Sequence, residues 1–146
     1  MYKQEVEDGV VLTFGNFDGI HLGHKFAIST TKKISRKMAL SSAILTFEPH
    51  PSTVLLKRKN FRLIDHEQKA ELIASYNIDY LYVINFNKDF SQLDCDDFIS
   101  EILVNSYNIK HIVVGKNCTF GNKRLGNILT LRKYTDLYGY TLTELK

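Results

Sequence analysis

Short apolar, β-branched runs recur along this chain, and most are closed by a glycine, a proline or a polar turn and followed by a stretch with helical apolar spacing. That alternation limits the fold more than any other feature. Val10–Phe14, ended by Gly15, reads as a buried parallel strand. From about His24 to Arg36 a helix is expected, with Phe26, Ala27 and Ile28 giving way to Lys32, Lys33, Arg36 and Lys37, cations gathered where a helix C-terminus favours them. Ser41 to Phe47 is a second strand, stopped by Glu48-Pro49-His50-Pro51, where a hydrogen-bonded ladder cannot continue. Asp65-His66-Glu67-Gln68 has the form of a capping box ahead of an apolar stripe at Ala70, Leu72, Ile73 and Ala74. Tyr80 to Ile84 is a third strand, Asp94 a candidate N-cap for a helix over Phe98, Ile99, Ile102 and Leu103, and His111 to Val114 a fourth strand. A long loop from Gly115 to Gly126, a helix from about Asn127 to Tyr138 and a last strand at Thr141 to Leu145 complete the pattern.

Strands alternating with helices imply right-handed crossovers and an α/β fold, a doubly wound parallel sheet of about five strands. The 146 residues, 44% hydrophobic and 24% charged, suit a single soluble domain over 1–146. A net charge of +3 with no basic stripe interleaved with aromatics gives no reason to expect nucleic acid. The densest basic cluster, Lys57-Arg58-Lys59, reads as a solvated loop. Cys95 and Cys118 lie far apart without a CxxC pair, which fits a reduced, cytoplasmic setting. No apolar run has the length of a membrane span or the form of a signal peptide, so no membrane association is expected.

In doubly wound sheets ligands bind beyond the carboxyl ends of the strands. Three segments fall there: Gly15 to His24, Glu48 to Pro51, and Gly115 to Gly126. In the first, three glycines and two histidines sit between a strand and a helix. Glycines let backbone amides approach phosphate oxygens, and a helix N-terminus offers unpaired N–H groups, so the segment suits a polyphosphate. It lacks the Lys-Ser/Thr of a P-loop and does not fit GxGxxG. The same spacing is compatible with an ordinary strand-to-helix turn holding two hydrogen-bonded histidines, or with a paired-histidine metal site that lacks a third ligand nearby.

His21-Leu22-Gly23-His24 resembles the HxGH signature of the nucleotidyltransferase superfamily, and Gly15-Asn16-Phe17-Asp18-Gly19-Ile20-His21-Leu22-Gly23-His24 resembles its version in bacterial FAD synthetases. These usually form the N-terminal module of bifunctional riboflavin kinase/FMN adenylyltransferases. Three further matches follow in order: Thr46-Phe47-Glu48-Pro49-His50-Pro51, Phe61-Arg62-Leu63-Ile64 before a Glu-containing helix, and Val113-Val114-Gly115-Lys116-Asn117 with Phe120-Gly121-Asn122-Lys123-Arg124-Leu125-Gly126. Cys118, Thr119 and Asn127 depart from the commonest form of the last motif.

The resemblance implies a Rossmann-like nucleotidyltransferase fold and transfer of AMP from ATP to FMN, giving FAD and pyrophosphate with Mg²⁺. It implies His21 and His24 as catalytic hydrogen-bond donors to the ATP phosphates, with Gly15, Asn16, Phe17, Asp18, Gly23 and Arg124 on the ATP side. His50, Pro51, Asn117 and Phe120 fall on the flavin side, and no residue is assigned to a protein-held metal. Phe47 could pack under a flavin or belong to the core. The Ser-Ser-Thr-x-x-Arg-like segment that follows the last strand in this family has no counterpart here, so a domain truncated at its C-terminus is expected, with the riboflavin kinase domain absent. Two alternatives stay open: a related nucleotidyltransferase with another phosphate acceptor, and a nucleotide- or flavin-binding module without turnover.

Overall fold

The structure is a computed structural model, and it describes residues 8–15, 22–48 and 75–145. Five strands, β1 (Val10–Phe14), β2 (Ser41–Glu48), β3 (Tyr80–Asn85), β4 (Ile109–Gly115) and β5 (Thr141–Leu145), form one sheet in the order β3-β2-β1-β4-β5. Every neighbouring pair is parallel. The expected doubly wound α/β architecture is therefore the one observed. The direction of winding reverses between β1 and β4, so the crevice outside their carboxyl ends is the switch point of the sheet. The register slips between Val10 and Val11 against β4, where Lys110 is the extra residue.

Alternation along the strands separates two unlike faces. Val10, Leu12, Ala43, Leu45, Phe47, Tyr82, Ile84, Ile112 and Val114 belong to one large apolar cluster. The opposite face carries Val11, Thr13, Ser42, Ile44, Thr46, His111 and Val113, all buried. Helix α1 (Leu22–Met38) brings buried Ala27, Ile28, Thr31 and Ser35, with Ile28 packed on Ile44. Its helical hydroxyls bond backward along the helix, Thr31 to the Ala27 carbonyl at 2.7 Å and Ser35 to that of Lys32 at 2.7 Å, so they enter the interior satisfied. Arg36 and Lys37 fall in its last turn, as the charge pattern predicts.

The apolar face is covered by the chain between β3 and β5. Asn87 caps the one-turn helix α2 (Lys88–Ser91) by accepting from the Phe90 N–H at 2.8 Å. Helix α3 (Cys95–Asp97) then widens into a π-helical stretch, Phe98–Ser106. The wider winding, seen in the i to i−5 bonds from Ser106 Oγ to Glu101 O at 2.8 Å and from Tyr107 N–H to Ile102 O at 3.1 Å, keeps Phe98, Ile99, Ile102, Leu103 and Tyr107 on the buried side. Asp94 precedes this helix as expected, but its side chain makes no capping bond; its carbonyl instead accepts from Phe98 N–H at 2.9 Å. Tyr107 stacks on Tyr82 with ring centroids 4.1 Å apart, and burial pushes the Tyr82 hydroxyl up to about 12.

The helix expected over residues 127–138 is two pieces, α4 (Ile128–Lys133) and α5 (Thr135–Tyr138), broken at Tyr134. There the Thr135 hydroxyl takes the Arg132 carbonyl at 3.0 Å, a local bond that competes with the helical ladder. The expected capping-box helix near Asp65 lies outside the described residues.

Candidate functional site at the carboxyl edge of the sheet

Parallel strands bring all their carboxyl ends to one edge, and backbone bonds tie those ends together. Gly15 N–H donates to Leu45 O at 3.0 Å and Phe86 N–H to Glu48 O at 2.8 Å. Of the first candidate segment, Gly15 follows β1 directly, while Gly23 and half-buried His24 lie in the first turn of α1. That is the end of the helix where unpaired N–H groups and the positive end of its dipole favour an anion. Asn16, Phe17, Asp18 and His21 lie outside the described residues, as do His50 and Pro51 from the second segment.

The third segment is a built loop. Cys118 N–H donates to Gly115 O at 3.1 Å, closing a turn whose corners are exposed Lys116 and Asn117. Phe120 and Gly126 exchange both backbone bonds, at 3.1 and 2.9 Å, and close the loop on itself. Asn122 N–H donates to Leu93 O at 2.8 Å and pins the tip to the chain ahead of α3. Gly121 and Gly126 both lie against Cys95: a Cβ at Gly121 would meet the Cys95 Cα and N at 2.7 Å, and one at Gly126 the Cys95 Cβ at 2.6 Å. Arg124 is exposed in a single 3₁₀ turn, Asn122–Arg124. Asn127 caps α4, accepting from Leu129 N–H at 2.9 Å while its own N–H reaches Thr130 Oγ1 at 3.2 Å.

A continuous aromatic layer supports this edge. Phe120 contacts Phe14 at the end of β1 (centroids 5.7 Å) and Phe98 (5.4 Å). Phe47, at the end of β2, meets Phe86 at 6.0 Å and Phe90 at 5.7 Å, and Phe98 connects the two groups. Phe47 and Phe120 are buried, so each supports the edge from within the core. The layer joins the loop after β4 to the strand that leads into the glycine-histidine segment.

Beside it, at the carboxyl ends of β4 and β5, a cleft of about 470 Å³ is lined by Lys116, Arg132, Glu144 and Leu145. Arg132 and Glu144 form a 2.7 Å ion pair across it. Arg132, Glu144 and Leu145 carry no motif, and Lys116 figures only within the Val113–Asn117 match; the Asn127/Thr130 box was not read from the sequence, where its signal is an Asn three residues before a Thr at a helix start. Burial pushes the Cys118 thiol up to about 12, so it stays protonated near neutral pH. Among the described residues no group of three or more His, Cys, Asp or Glu could hold a metal ion, and no helix is long and apolar enough to cross a membrane.

Comparison with known proteins assigns the chain. The family model described as FAD synthetase matches residues 3–146. A bifunctional riboflavin kinase/FMN adenylyltransferase from Buchnera aphidicola is 38% identical over 144 residues, 98% of this chain and 46% of the relative. Proteins of the same name from Listeria monocytogenes (38% identical, 86% of this chain and 40% of the relative) and Escherichia coli K12 (34%, 97% and 46%) are similar to it as well. The chain thus spans about half the length of these curated relatives. A solved structure described as a macrolide-efflux protein from Streptococcus pneumoniae shares the fold with a TM-score of 0.82 at 24% identity, covering 96% of this chain and 46% of that one. Sheet order, motif segments and the family match agree, and this chain belongs to the FAD synthetase family.

Proposed function

We propose that this chain is the FMN-adenylylating domain of its protein, transferring AMP from ATP to FMN. A phosphate oxygen of FMN attacks the α-phosphorus of ATP in line, the bond from that phosphorus to the bridging oxygen of the β-phosphate breaks, and FAD and pyrophosphate form. No covalent enzyme intermediate is needed, so the protein has to align two anions and stabilise the charge that develops on phosphoryl oxygens. The observation that supports the reading is the carboxyl edge itself: Gly15 directly after β1, Gly23 and His24 in the first turn of α1, and the docked loop after β4 fall at the carboxyl edge beside the switch point, where Phe14 meets Phe120.

In this reading His21 and His24 donate hydrogen bonds to the ATP phosphates, Gly15 and Gly23 allow close backbone approach, and Asn16, Phe17, Asp18 and Arg124 complete the ATP side. A neutral imidazole retains one N–H donor, so the dipole at the start of α1, which disfavours imidazolium, is compatible with donation. His50, Pro51, Asn117 and Phe120 form the flavin side. Mg²⁺ enters with ATP, because this ion is commonly held through substrate phosphates and retained water with few protein carboxylates; when bound it neutralises charge on the departing pyrophosphate. The bifunctional names of the relatives support a riboflavin kinase partner domain as the source of FMN, and both substrates suit a cytoplasmic setting.

The test is incubation with ATP, FMN and Mg²⁺, resolving FAD from FMN by chromatography, with His21→Ala and His24→Ala in parallel. Loss of one transition-state donor is expected to lower the rate on the order of 10²- to 10³-fold. Absence of FAD from this chain and from any longer form of the protein refutes the reading.

A further inference from the structure

Residues with a Cβ avoid left-handed backbone, and chains ordinarily give such positions to glycine, asparagine or aspartate. The loop after β4 does so at Gly121 (φ 79°) and then departs from the habit, with Lys123 and Arg124 at φ 57° and 55°. Both side chains are exposed, and neither makes a hydrogen bond or ion pair with a described residue that would offset the backbone cost. The conformation is imposed from around them: Asn122 is held by Leu93, Arg124 N–H donates to Gly121 O at 3.0 Å, and Gly121 and Gly126 are seated on Cys95. What the loop holds in this strained form is two adjacent cations, three and four positions beyond the Phe120 ring that touches Phe14. Strain of this kind persists where the surrounding structure over-determines it, and it concentrates at ligand-gripping sites.

We propose that Lys123 is a phosphate-positioning residue of the adenylyl transfer, acting beside Arg124, an inference that rests on the function proposed above. The guanidinium supplies a planar fork and the ammonium a compact point charge, a pairing suited to a phosphate monoester or a polyphosphate but excessive for a single carboxylate. The group held is either the phosphate of FMN or the phosphate chain of ATP.

Lys123→Gly and Lys123→Asn both suit positive φ and both remove the charge. Thermal denaturation and separate titration of ATP and FMN, each followed by calorimetry, give the readout. The expected result has opposite signs: the variants melt at or above the temperature of the parent, yet bind one of the two ligands about ten- to a hundredfold more weakly, the loss of one charged hydrogen bond. A raised constant for ATP identifies the polyphosphate and one for FMN the monoester. Lys123→Arg restores binding without the gain in melting temperature. Unchanged affinity for both ligands in the Gly and Asn variants overturns the assignment of Lys123 while leaving the parent's own binding intact. A parent that binds neither ligand overturns the functional reading and the proposal together.

Discussion

Two glycines share a positive φ but differ in ψ and in what surrounds them, and alanine at each tests how tightly the loop after β4 is seated. Gly121 and Gly139 have φ of 79° and 74°, but ψ is 179° at Gly121 and 23° at Gly139. An alanine at Gly139 therefore meets the left-handed penalty of about 1–2 kcal/mol, whereas one at Gly121 enters a region that is essentially glycine's alone, at a backbone cost of about 1–3 kcal/mol. At Gly139, the residue after α5, a Cβ meets nothing within 4 Å. At Gly121 it lies 2.7 Å from the Cα and N of Cys95, roughly 1 Å inside an ordinary carbon contact. Those are backbone atoms at the start of α3, so no side-chain rotation relieves the overlap, and overpacking of this kind adds about 1–3 kcal/mol. Gly121→Ala should therefore lower stability by at least about 1–3 kcal/mol more than Gly139→Ala, the share of the overlap alone, a further fall of roughly 2–12 °C in Tm. The loop can limit the cost by lifting off Cys95. In that case the amides of Phe120, Asn122 and Gly126 lose protection in hydrogen exchange while the strands keep theirs. Thermal melts of the two variants, paired with exchange at those three amides, decide the matter. Equal penalties with unchanged exchange would refute the seating of the loop on Cys95.

Other expectations follow from the same contacts. Burial holds the His111 imidazole below its ordinary range, between Thr141 Oγ1 at 2.6 Å and Thr143 Oγ1 at 2.7 Å. A depressed histidine contributes fully above its unfolded value near 6.5 and loses that contribution as pH falls through the folded one. The stability difference between the parent and His111→Gln, from urea midpoints, should shrink between pH 7.5 and pH 5, and a constant difference would contradict it. Asn127→Ala removes the cap of α4 and should cost about 1 kcal/mol in chemical denaturation, whereas a loss within error would show that the cap is dispensable. Cys118 should resist alkylation at pH 8 until the protein unfolds, and rapid labelling of the native protein by mass spectrometry would count against its burial.

The parallel sheet was legible because period and punctuation act locally: a β-branched run closed by Gly15 or by Pro49 states a strand and its end. Motif residues were legible for the same reason, since Gly23 and His24 belong to one short segment. The aromatic layer was not, because Phe14, Phe47, Phe98 and Phe120 come from four separate elements and meet only after the crossovers form. The π-helical winding at Phe98–Ser106 escaped a reading based on a period of 3.6, and the break at Tyr134 depends on one threonine hydroxyl. The cleft beside Arg132 and Glu144 joins residues 12 positions apart that carry no motif.

The unequal faces of the sheet bear on how the molecule breathes. Among the described residues, α1 meets the sheet through Ala27, Ile28, Thr31 and Ser35, while the other side is sealed by phenylalanines, tyrosines and branched aliphatics. Free energy of docking follows apolar area withdrawn from water, so the helix with a hydroxyl-rich seam is the lighter latch. Excursions short of global unfolding should release α1 first, and its first turn carries Gly23 and His24. Under the function proposed above, the part of the domain most ready to adjust to an incoming nucleotide is thus the part that would have to meet it.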